Sequence, residues 1–148
     1  MKRQLVFWSG ILGALLFAFA SIWGGLQIDG YSFVSQYISE SYATGVPDSK
    51  YLQKLFVASG VLLAIFGVSA SFIFKESKAI KLSFFIFSIF YGLGTVSTGF
   101  FPCDFGCPAD GDVSLSQFIH NTSGFLVYAI VPFCLIGIGL ASKRQAEL

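Results

Sequence analysis

His120, Asp104 and Glu40 are the side chains of this sequence best suited to move a proton or hold a charged ligand. His120 is the sole histidine of the 148 residues and stands in the run "IHNTSGFL", beside Asn121, Thr122 and Ser123. An imidazole within reach of a carboxylate serves as a general base, a proton relay or a metal ligand. The same three groups have a plainer use, in which an imidazole–carboxylate hydrogen bond pins one loop onto a helix. Both uses require Asp104 and Glu40 to lie at the same end of the fold as His120. A stable metal centre needs three or four ligands of the His, Cys or carboxylate type, and one histidine does not supply them, so no metal and no cofactor is expected. Asp110 and Asp112 flank Gly111 without the alternating aspartates of a calcium loop.

Asp104 belongs to the stretch "GFFPCDFGCPADGD", 99–112, which also carries Cys103 and Cys107. A redox-active dithiol favours C-x-x-C, whereas C-x3-C between Pro102 and Pro108 suits a structural disulfide in an oxidising compartment. The third cysteine, Cys134, falls in an apolar run and reads as a buried thiol. No nucleophile elbow, phosphate-binding loop or H-E-x-x-H zinc motif occurs.

The elements that must position these groups follow from composition. Hydrophobic residues make up 55% of the chain and charged residues 11%, with a mean hydropathy of +0.75. A soluble domain carries about 25% charged residues, so this chain has too little charge to cover a water-facing surface. A net charge of +1 gives no long-range attraction to nucleic acid. Four apolar runs, 5–26, 55–74, 82–101 and 118–141, each match the ~20 residues that cross ~30 Å of hydrocarbon as a helix. Barrel-type alternation is absent. The expected fold is therefore all-α, a four-helix membrane bundle forming a single domain over 1–148. The first run exceeds the ~7–15 apolar residues of a signal peptide and is expected to remain as a helix.

Lysine and arginine set the expected orientation. Lys2 and Arg3 precede the first run, Lys75, Lys78 and Lys81 fill the second connection, and Lys143 and Arg144 follow the fourth. The positive-inside rule puts these places, with both termini, in the cytoplasm of a cell-membrane protein. Connections 27–54 and 102–117 are then extracytoplasmic, with Lys50 and Lys54 as exceptions. Glu40, Asp104 and His120 fall at that outer end together. Ionisable groups at membrane depth are costly and face a partner or a polar cavity. Within the spans, Gly10, Gly13 and Ala14, then Gly60, Ala64, Gly67 and Ser71, then Gly92, Thr95 and Gly99 form small-residue stripes that let helices approach closely. In the first connection, Tyr31, Val34, Tyr37, Ile38 and Tyr42 recur at helical spacing and predict a short interfacial helix over 31–42. Pro132 predicts a kink in the fourth span.

Three segments, "QYISESYATGVPDSKYLQKLFVASGVL", "GFFPCDFG" and "IHNTSGFL", occur in an order that resembles the DUF998 family of multi-pass membrane proteins. The resemblance spans roughly 5–141, and the pairing of F-P-x-D with I-H is its most specific part. It implies importance for Ser39, Glu40, Phe101, Pro102, Asp104 and His120, but names no reaction. Many members carry further spans, so the resemblance also suggests a minimal version, or one completed by self-association. These readings together predict an outer-facing polar cleft, lined by Ser39, Glu40, Asp104 and His120, that binds a lipid headgroup or small amphiphile. The alternatives are a metal-independent lipid hydrolase or transferase with His120 as base, and a packing subunit in which the cluster only sets structure.

Overall fold

The computed structural model describes residues 2–74, 77–109 and 111–147; Lys75 and Asp110 of the foregoing argument lie outside them. Four apolar helices are long enough to cross a bilayer. They are α1 (Lys2–Leu26), α2 (Ser49–Ile73), α3 (Lys78–Phe100) and α4 (Leu115–Ala146). Each expected span is present and begins three to six residues before the apolar run that marked it, because helical hydrogen bonding continues into the polar flank. Lys50 and Lys54 consequently lie in the first turns of α2 rather than in the connection before it. Ser77 caps α3 by accepting from Ile80 N–H, and Ser114 caps α4 by accepting from Gln117 N–H. The latter helix runs through Pro132 as one element.

Each helix packs against the next along the chain, α1 on α2, α2 on α3 and α3 on α4. Of the most apolar window of α2, 39% is buried inside the protein, against 11% for α4, so α2 is the central helix and α4 an edge. Large apolar side chains such as Phe72, Phe133 and Leu140 point outward, as lipid-facing positions do. Among the described residues, the backbones of α1 and α4 make no contact, and the bundle is left with an open seam between them.

Small residues govern the closed interfaces. A Cβ on Gly60 would lie 2.7 Å from both the carbonyl oxygen of Gly92 and the backbone nitrogen of Val96, and one on Gly67 2.8 Å from the carbonyl of Phe84. Lipid offers no hydrophobic drive between helices, so this backbone approach and the hydrogen bonds it admits hold α2 to α3. Ser88 Oγ donates to Ala64 O at 2.9 Å, while Ser59 Oγ donates to Gly13 O at 2.8 Å between α2 and α1. A π-helical turn over Ser88–Leu93 widens α3 where these contacts form, and Gly92 there abuts Ala64.

The expected interfacial helix over 31–42 is not formed. The segment turns through 33–36 and becomes helical only as a five-residue 3-10 helix, Ile38–Tyr42. Its polar side chains bind its own backbone instead: Ser32 N–H donates to Gln36 Oε1 at 2.8 Å and Tyr37 N–H to Glu40 Oε1 at 2.9 Å. That competition is why serine-rich segments resist regular helix. Tyr42, placed with the interfacial tyrosines by its spacing, is instead buried against Ala20, Leu52 and Phe56.

Candidate functional site

Two ends of the bundle are candidates. At one end the first connection, 27–48, meets the third, 101–114. Thr44 N–H donates to Cys103 O at 2.8 Å, and Cys103 and Cys107 are joined as a disulfide with their Cα atoms 5.1 Å apart. Ser39 lies against this loop, its hydroxyl 3.3 Å from Cys107 Sγ and its carbonyl 3.4 Å from Cys103 Sγ. Cys107 has φ +45°, with Gly106 before it at +76°, so two consecutive left-handed residues close the loop, and glycine makes one of them easy.

Asp104 does not face His120 in a hydrogen bond. Its two carboxylate oxygens accept from Ser114 Oγ at 2.7 Å and Ser114 N–H at 2.9 Å. The carboxylate thereby occupies the place that a residue inside the helix takes in a capping box, and sets a negative charge at the start of α4. Gln117, the residue that could have filled that place, is fully buried elsewhere. Its Oε1 accepts from Asp104 N–H at 2.6 Å, and its Nε2 donates to Pro108 O at 2.9 Å and Asn121 Oδ1 at 3.0 Å. Gln117 is thus the centre of this end, and the sequence reasoning missed it. The S-x-x-Q spacing of 114–117 ahead of an apolar run was the available signal.

His120 is buried, with Nδ1 3.0 Å from Phe101 O and its ring 6.0 Å from that of Tyr42. Burial pushes the Tyr42 phenol up to about 12, so it stays protonated, with Thr98 beside it. Glu40 spends its second oxygen on Gln36 Nε2 at 2.8 Å. Glu40, Asp104 and His120 make no hydrogen bond to one another: Glu40 binds Tyr37 and Gln36, Asp104 binds Ser114, and His120 binds Phe101. Among the described residues no buried side-chain nitrogen or oxygen lacks a partner, and no three His, Cys, Asp or Glu side chains are grouped to hold a metal.

The bonds from Ser114 Oγ and N–H hold the Asp104 carboxyl below its ordinary value of 3.8. A pKa lowered on folding stabilises the fold above the unfolded value, and that contribution disappears as pH falls through the folded one. Thermal melting in detergent should accordingly lose stability as pH drops below about 3.8, and Asp104→Asn should flatten that acid limb.

The second candidate is the seam between α1 and α4, at the end that carries Lys2, Arg3, Lys78, Lys81, Lys143 and Arg144. A cavity of about 1230 Å³ opens there, lined by Arg3, Gly10 and Ala14 of α1, Leu63 and Phe66 of α2, Tyr91 of α3 and Leu135 of α4 among others. At the deep end Tyr91 of the lining also meets Phe17 of α1, with ring centroids 6.0 Å apart. A smaller cavity of about 300 Å³ lies at the opposite end beside Trp23, Asp48 and Tyr51. Neither is lined by Glu40, Asp104 or His120.

Four apolar spanning helices, close glycine-mediated contacts and a surface of outward phenylalanines define a multi-pass α-helical membrane protein. The chain belongs to the family described as protein of unknown function (DUF998), whose model matches residues 11–147. No curated protein and no solved structure matches it.

Proposed function

We propose that this protein binds a membrane lipid, and that its site is the apolar groove between α1 and α4. The observation that carries this reading is the groove itself. Its volume exceeds the ~300–1,000 Å³ of ordinary small-molecule sites, its walls are almost wholly hydrocarbon, and the seam opens it sideways to the bilayer. In this reading Ser39, Glu40, Asp104 and His120 are not a cleft for a headgroup. They tie the two connections and the start of α4 together at the far end of the bundle. The positive-inside rule favours a cytoplasmic position for the groove's mouth and an extracytoplasmic one for the tied end.

Ala14 gives the test. It is exposed on the groove wall, so Ala14→Trp should project an indole into the deep part of the groove and obstruct an acyl chain without displacing packed atoms. Protein purified in mild detergent should carry lipid, read by native mass spectrometry, and the variant should carry several-fold less at an unchanged melting temperature. Equal lipid on both proteins would remove the groove as the site.

A further inference from the structure

We infer that the occupant is an anionic phospholipid, held with its acyl chains in the groove and its phosphate at Arg3; this rests on the lipid-binding reading above and adds the ligand's class and orientation.

The groove has the length of one leaflet. Along α1 the lining runs from Arg3 to Ala14, eleven positions, or about 16 Å of helix. Half of a hydrocarbon core of ~30 Å is about 15 Å, so the groove spans one leaflet. Its deep end, at Ala14, Leu63 and Tyr91, then falls near the bilayer middle, where the chains of one leaflet stop. Its open end carries Arg3, exposed and the one ionisable cation among the described residues of the lining, at the level of that leaflet's headgroups.

Charge distinguishes the two ends of the bundle. The described residues at the mouth end include Lys2, Arg3, Lys78, Lys81, Lys143 and Arg144, and the carboxylate among them, Glu147, sits 3.8 Å from Lys143 Nζ. Lys75 and Glu76, adjacent in the same connection, cancel in formal charge. The opposite end bears Asp29, Glu40, Asp48, Asp104 and Asp112 against Lys50 and Lys54. An anionic head is therefore favoured at the groove's mouth and opposed at the tied end, and the fork of an arginine suits a phosphodiester oxygen pair. Membrane-surface cations each contribute about 1 kcal/mol towards anionic lipid, or about fivefold in preference.

The probe is an equimolar mixture of phosphatidylglycerol and phosphatidylcholine with matched chains, offered to delipidated protein and read by native mass spectrometry. The wild type should retain phosphatidylglycerol preferentially. R3Q should lose about fivefold of that preference while keeping its total lipid occupancy, R3K should keep most of it, and soluble glycerol phosphate should displace nothing. Equal retention of the two lipids by the wild type, or an R3Q preference equal to wild type, would overturn the inference while leaving the groove intact. Loss of selectivity in R3Q alongside full lipid retention by A14W would instead place the lipid outside the groove, and both readings would fall together.

Discussion

Gly92→Leu should abolish the folded bundle, or lower its stability by more than any other single change in α3. A Cβ on Gly92 would lie 2.6 Å from both the Cα and the backbone nitrogen of Ala64, and 2.7 Å from its Cβ. None of these atoms is the far end of a flexible side chain, so the helices themselves must part. Overpacking of a well-packed interior costs about 1–3 kcal/mol even where side chains can rearrange, and here they cannot. Separation would also break the 2.9 Å bond from Ser88 Oγ to Ala64 O. Gly124→Leu is the matched control, since nothing lies within 4 Å of a Cβ at that position. Thermal unfolding in detergent, followed by tryptophan fluorescence, should show a collapse for the first variant and little change for the second.

Gln117→Leu should be the most damaging change at the tied end, more so than any substitution of Glu40. The replacement keeps most of the volume of a fully buried side chain and deletes three hydrogen bonds. Asp104 N–H and Pro108 O lose their partner, and a buried group so orphaned costs about 1–3 kcal/mol. Glu40, by contrast, is half-exposed and bonds only within its own segment, so water can replace it. Proteolysis or hydrogen exchange across 101–114 should rise sharply in Gln117→Leu and change little in Glu40→Gln.

The spans were legible because a bilayer demands a fixed length of apolar helix, and the glycine stripes were legible because close approach demands small residues at helical spacing. Gly60 and Gly67 do face α3 at backbone distance. Ala14, grouped with Gly10 and Gly13 by the same spacing, instead faces the groove, because periodicity reports a face and not what stands opposite it. The tied end was harder to read. Topology correctly brought the first and third connections to one end of the bundle, yet Asp104 had two possible uses there, and it bonds Ser114, the helix cap ten residues later, rather than His120. Tyr42 matched the helical period of 31–42, but Ser32, Gln36 and Glu40 drew the backbone into turns that carried it inward. The groove left no mark in the sequence at all, since it results from α1 and α4 failing to meet.

In the proposed arrangement lipid sits between α1 and α4 and not at the polar end. A photoreactive residue placed at Ala14, with a second protein carrying it at Phe105, tests this directly by mass spectrometry after irradiation in native membrane and stringent delipidation. A lipid adduct is expected at position 14 and none above background at 105. Adducts at 105 with none at 14 would contradict it and return the site to the end that holds Asp104 and His120.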